Sequence, residues 1–210
     1  METSLFSNFS TIFENPTSVA ALVGLVALIL AFMYIKKIAI TTRLIVHIGL
    51  ALALTIILHT LRLYHMPQGG SITFGAMVPL LLISFRYGPA VGYLAGFVYG
   101  LINLMQDPYI LHPVQVLFDY PLPFMALGLA GYFQDNKLVG TIIGVLGRFI
   151  CHVISGVVFF ASYAPPEMSP YWYSLAFNAT YLLPELIICL ILMRILPVKR
   201  LLENMASGIK

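Results

Sequence analysis

The feature that most constrains this chain is a succession of seven apolar runs, each stopped by charges, prolines or glycines: residues 19–35, 44–63, 72–85, 89–106, 114–133, 138–164 and 173–196. A helix needs about 20 apolar residues to cross the hydrocarbon of a bilayer. Hydrophobic residues make up 60% of the chain and charged residues 9%, whereas a soluble domain carries about 25% charged residues to form its polar coat. A soluble globular fold is thereby excluded. Disorder is excluded too, because it requires low hydrophobicity. The chain reads as an all-α integral membrane protein with short loops and no room for a soluble ATP-hydrolysing domain. The third run is the shortest. It is expected either to span a thin region with little tilt or to include part of the loop before it.

The cations set an orientation. With the N-terminus outside, the inward segments hold Lys36, Lys37, Arg43, Arg86, Lys137, Arg194, Lys199, Arg200 and Lys210, nine of the 11 Lys and Arg residues. Only Arg62 faces outward, and Arg148 lies inside a run. Cytoplasmic loops are enriched in Lys and Arg, so the C-terminus is placed in the cytoplasm. The net charge of +3 is thus accounted for by the bilayer, and no nucleic-acid partner is implied. The stretch 1–17 contains Glu2 and Glu14 but no Lys or Arg, so no cleaved leader is expected. Cys151 and Cys189 sit inside apolar runs and read as small buried hydrophobes rather than a disulfide.

Small residues give a second pattern. Gly88, Gly92, Gly96 and Gly100 recur every four residues along the fourth run, and Gly49 and Ala53 form a shorter pair on the second. Such spacing lets two helix backbones approach closely. The long stripe is expected to pack within the subunit. For the Gly49/Ala53 pair, docking against a separate membrane subunit is a serious alternative.

Ionisable side chains inside apolar runs are costly and mark functional sites. Here they are Asp119, Arg148, His152 and Glu185, with Asn103, Gln115 and Asn178 as neutral company. At about 1.5 Å of rise per residue, Asp119, Asn178, His152 and Asn103 fall on one level below the outer surface, like the floor of a pocket open to the outside. Arg148 lies one turn below His152 at the depth of Glu185. An Arg148–Glu185 pair is expected, with Arg148 supporting Asp119 as the alternative. Tyr109, Tyr120, Phe159, Phe160, Tyr163, Tyr171, Trp172 and Tyr173 surround this level. A carboxylate beside aromatic faces suits a flat organic cation. His47, His59, His65 and His112, at segment ends, read as ordinary interfacial residues. The sequence has no GxxxxGK[ST] loop for ATP hydrolysis, no HExxH or Cys/His metal spacing, and no GxSxG elbow. It is therefore read as having no metal, no cofactor and no catalysis of its own.

Four segments carry a family resemblance: YHMPQGGSITFGAMVPLLLISFRYGP (64–89), YILHPVQVLFDYPLPFMALGLAG (109–131), GRFICHVISGVVFFASYAP (147–165) and YSLAFNATYLLP (173–184). Together they resemble the thiamine-specific substrate-binding (S) subunits of energy-coupling factor transporters, the ThiT/YuaJ family, over about residues 43–196. The resemblance implies a six-helix S-component bundle in the bacterial cell membrane. It would bind thiamine from outside and join a transmembrane coupling subunit and two cytoplasmic ATPases. It assigns ligand contact to Asp119, Tyr120, Tyr109, Arg148, His152, Phe160, Tyr173 and Asn178, and coupling-subunit docking to Gly49 and Ala53. Where the better-known branch has a Trp and a second Glu near the second of the six helices, this chain has Gly70 and Phe74. The acid is Asp rather than Glu, and the stacking residue is Phe rather than Trp.

The expected organisation is therefore residues 1–42 as a tail and one extra N-terminal transmembrane helix, 43–196 as the six-helix thiamine-binding domain, and 197–210 as a basic cytoplasmic tail. Three rivals stay open. One is an S subunit for a thiamine precursor or another vitamin. The second is an intramembrane enzyme using His152 and Asp119 as an acid–base pair. The third is an ion-coupled solo transporter.

Overall fold

The computed structural model of the chain describes residues 16–36 and 38–207. The tail with Glu2 and Glu14, and the cations Lys37 and Lys210, lie outside the described residues. Among the described residues the elements are helical apart from one hairpin: α1 Pro16–Ile35, α2 Thr42–Thr60, β1 Arg62–His65, β2 Ser71–Thr73, α3 Val78–Tyr87, α4 Pro89–Gln106, α5 Pro113–Asp119, α6 Pro121–Ala126, a 3-10 turn Leu127–Tyr132, α7 Lys137–Phe159, a 3-10 turn Ala161–Tyr163, α8 Pro170–Ile195 and α9 Val198–Ser207.

Among the described residues five helical stretches are long and apolar enough to cross a membrane: α1, α2, the composite Pro113–Tyr132, α7 and α8. α4 has 18 residues, and its glycines, Asn103 and Gln106 make it less apolar. The third run resolves as the loop alternative did. Its first residues pair as β2 against β1, and only Val78–Tyr87 is helical. The described part of the 197–210 tail is the helix α9, whose Leu202 and Met205 pack on the bundle.

Local chemistry explains the boundaries. Thr41 caps α2 by accepting from the Leu44 amide, and Ser169 caps α8 by accepting from the Trp172 amide. The fifth run is not one continuous helix. α5 ends at Asp119, Tyr120 leaves helical geometry at φ −120 and ψ −78, and Pro121 and Pro123 open the next segment. Proline lacks the amide that would continue the ladder, so the apolar run hides a break directly beside its one acid.

The glycine stripe on α4 meets this broken segment. A Cβ on Gly96 would collide with the Phe124 carbonyl, and one on Gly100 would lie 2.6 Å from both Pro121 Cα and Tyr120 O. The expected packing within the subunit is therefore present, and the Gly88–Pro89 backbone extends it against Gly131. Gly88 sits in the turn between α3 and α4 at φ 84, where glycine is needed. The core lies around α3, α4 and the α6 region, with Leu80, Leu81, Tyr99, Phe124 and Leu127 fully enclosed. α1 leans on the outside of this core. Its Gly24 seats against Phe118 and Leu122, and Phe32 meets Phe97 edge to face. The remaining faces of α1 and α2 are bare aliphatic surface, including Leu25, Leu30, Ile45, Leu50 and Ile57, as helices in lipid present.

Candidate binding site

The hairpin, the ends of α2 and α4, the loop 107–112, α5, α7 and α8 enclose a pocket of about 750 Å³ including its mouth. All eight residues assigned to ligand contact line it: Tyr109, Asp119, Tyr120, Arg148, His152, Phe160, Tyr173 and Asn178. Asn103 lines it as well, so the four polar residues placed at one depth meet in one cavity.

The Asp119 carboxylate is 17% exposed. Oδ2 accepts from Gln115 Nε2 at 2.5 Å, and Oδ1 lies 3.3 Å from His152 Nδ1. Among the described residues no Lys or Arg pairs with it. Gln115 is completely buried and holds the local frame: its Nε2 also donates to the Tyr109 carbonyl, and its Oε1 accepts from the Leu111 amide. His112 is no ordinary interfacial residue, because its ring accepts from the Val114 amide and its own amide reaches the Gln115 Oε1, a capping box for α5.

The second nitrogen of His152, Nε2, is buried without a partner, and so is Nε of Arg148. Buried polar atoms normally have partners, so two unmet groups border one cavity. Neither expected pairing of Arg148 is present. Its guanidinium packs 4.2 Å over the Phe124 ring. Glu185 instead takes two hydrogen bonds of 2.6 Å, from the Thr73 amide and the Thr73 hydroxyl. Those bonds fasten β2 of the hairpin to α8, and a carboxylate so engaged needs no cation.

Asn178 and Tyr120 are already well engaged. Asn178 Nδ2 donates to the Ser174 carbonyl at 2.9 Å and weakly to the His152 carbonyl, and its Oδ1 accepts from the Tyr181 hydroxyl. The α7–α8 crossing is tight there: a Cβ on Gly156 would strike Ser174. The Tyr120 hydroxyl accepts from the Tyr109 amide at 2.6 Å and donates to the Asp107 carbonyl at 2.8 Å, so it shapes the loop over the pocket. Tyr109 and Phe160 form a near-parallel ring pair with centroids 5.8 Å apart. The Tyr109 hydroxyl bonds that of Tyr163 at 2.8 Å. That bond, with a smaller contribution from burial, raises the Tyr109 pKa.

Several lining residues escaped the sequence reading. His59 is buried at the pocket beside Asn103 rather than interfacial. Asp107 adds a second carboxylate, tied to Arg62 at 2.8 Å. Gln68, Gly69 and Ser71 of the hairpin line the pocket beside Gly70. Gly69 and Gly70 have φ values of 86 and 91, and a Cβ on Gly70 would lie 2.8 Å from the Tyr181 ring. Phe74 is exposed and absent from the lining. The apolar runs 44–63 and 72–85 did not mark residues 62–73 as a hairpin. The QGG tip was the available signal.

Comparison with known proteins agrees with this architecture. The family described as thiamine transporter protein (Thia_YuaJ) matches residues 45–204. A thiamine transporter ThiT of Bacillus subtilis is 42% identical, over 62% of this chain and 77% of its own length. A second, from Lacticaseibacillus paracasei, is 30% identical over 61% of this chain and 71% of its own. The solved structure of ThiT from Listeria monocytogenes superposes with a TM-score of 0.67, covering 75% of this chain and 93% of that one, at 24% identity. The helical membrane fold is thus shared, α1 precedes the matched region, and the chain belongs to the thiamine transporter (Thia_YuaJ) family.

Proposed function

We propose that this chain captures thiamine outside the cell, as the substrate-binding subunit of an ATP-driven importer of the energy-coupling factor type. A transmembrane coupling subunit and two cytoplasmic ATPases complete the transporter. The observation that carries the reading is the pocket's chemistry: a partly buried carboxylate, without a Lys or Arg partner, beside a near-parallel aromatic pair. Thiamine is a thiazolium cation joined to an aminopyrimidine, and the names of the relatives agree with it.

In this reading Asp119 neutralises the vitamin's positive charge, held in place by Gln115. Phe160 offers a ring face and Tyr120 flanks it. His152 presents its unmet Nε2 to the ligand's polar edge, and Arg148 donates to an acceptor atom away from the thiazolium. Tyr109 and Tyr173 offer phenol groups, and Asn178 keeps one acceptor lone pair on Oδ1 while it fixes α8 to α7. The Lys and Arg distribution supports a pocket that opens outward, with the N-terminus outside and the C-terminus in the cytoplasm. Gly49 and Ala53, on an open face of α2 with nothing within 4 Å of a Gly49 Cβ, form the docking face for the coupling subunit.

Isothermal titration of the detergent-purified chain with thiamine tests the capture step without partners. Tight one-to-one binding is expected, and Phe160→Ala weakens it by about tenfold, near 1.5 kcal/mol for a lost aromatic contact. A folded chain that takes the pyrimidine precursor but not thiamine overturns the substrate. Uptake in cells that persists without the ATPase subunits overturns the coupling.

A further inference from the structure

At the end of the bundle opposite the hairpin, the last turn of α3, the loop before α7 and the helix α9 line a second, open cleft of about 620 Å³ including its mouth. Three cations from three separate elements line it: Arg86, Lys137 and Lys199. Glu203 is the one carboxylate among them, so the cleft holds an excess of two positive charges. Nε of Arg86 is buried with no hydrogen-bond partner, and an unmet guanidinium N–H calls for an anionic oxygen. Lys137 donates to the Gln134 carbonyl, which leaves it two further N–H groups.

The wall beside these cations is apolar. Phe85 and Leu202 complete the lining, and Leu202 continues into the face of α9 that packs on the core with Met205. α9 thus lies at the bundle end with polar residues on one side and aliphatic ones on the other, the character of a helix at a membrane interface. Converging cations next to an apolar wall at this level match an amphiphilic phosphate better than a free ion. Basic pockets between helices on the cytoplasmic side are known to hold anionic headgroups. We propose that this cleft binds the phosphate headgroup of an anionic phospholipid, of the phosphatidylglycerol class, and that the lipid clips α9 to the ends of α3 and α7.

The test is native mass spectrometry of the detergent-purified full chain, offered short-chain phosphatidylglycerol and phosphatidylcholine at equal concentration. Phosphatidylglycerol is expected to be retained at least about tenfold better than phosphatidylcholine. The double variant Arg86→Gln/Lys199→Gln is expected to bind the two lipids alike, and Lys137→Gln alone to lose part of the preference. Circular dichroism reads the folding of each variant, so the result does not depend on thiamine binding. Equal retention of both lipids by the parent overturns the site, as does an undiminished preference in both variants. Displacement of the lipid by millimolar inorganic phosphate assigns the same cations to a free phosphate and overturns the lipid assignment.

Discussion

Gly92, Gly96 and Gly100 on α4 and the pair Gly49/Ala53 on α2 share the same four-residue spacing, yet they meet opposite surroundings. The α4 glycines lie against the backbone of the α6 region, so close that Gly96 admits no side chain and Gly100 takes even a methyl only if the Tyr120–Pro121 backbone shifts. Gly49 faces open space, with Leu50, Leu54 and Ile57 exposed beside it. The difference teaches what each stripe is for. The α4 stripe seats the backbone from Tyr120 to Met125, directly after Asp119, so it aims the pocket's acid. On α2 nothing lies within 4 Å of a Gly49 Cβ and Ala53 is exposed, which is why the proposed docking face falls there.

The sharpest way to break this contrast is to fill each stripe with a large side chain. Gly96→Leu is expected to cost about 3 kcal/mol or more, because overpacking against a carbonyl has no cheap relief. Its thermal unfolding in detergent should fall well below that of the parent or the chain should not fold. A Gly96→Leu chain as stable as the parent would mean that the α4 contact is not tight. Gly100→Ala is gentler. It presses on Tyr120 and Pro121, one residue from Asp119, and is expected to lower thiamine affinity by about tenfold, near 1.4 kcal/mol, with the chain still folded. Titration of the folded variant checks it, and unchanged affinity would separate the stripe from the site. Gly49→Leu should change the isolated chain least, within about 0.5 kcal/mol in stability and without effect on thiamine affinity, as expected for a surface exchange. Copurification with the coupling subunit should nevertheless be lost. Retained copurification would remove the docking role from this face.

Much of the pocket was legible because charges stand out in apolar runs. Asp119, His152, Asn178 and Asn103 could be placed at one level by counting residues at the helical rise, and the cavity joins all four. The pairing of Arg148 was not legible, since depth alone puts Glu185 beside it while the Thr73 amide and hydroxyl meet that carboxylate first. The break at Tyr120 was hidden in a run that is apolar throughout, although Pro121 and Pro123 marked it. The hairpin and His59 were missed because the second run continues in hydrophobicity past its helical end at Thr60. Spacing told that Gly49 and Gly96 were both suited to close packing, but only the fold decides which of them has a neighbour.

Titration of the purified chain and of Asp119→Ala with thiamine tests most directly whether the acid so positioned is what holds the vitamin. Tight one-to-one binding by the parent is expected, with a loss of about 3 kcal/mol, roughly a hundredfold in Kd, in the variant. A folded Asp119→Ala chain that binds thiamine as tightly as the parent would contradict the assignment of this pocket's acid to the ligand's charge.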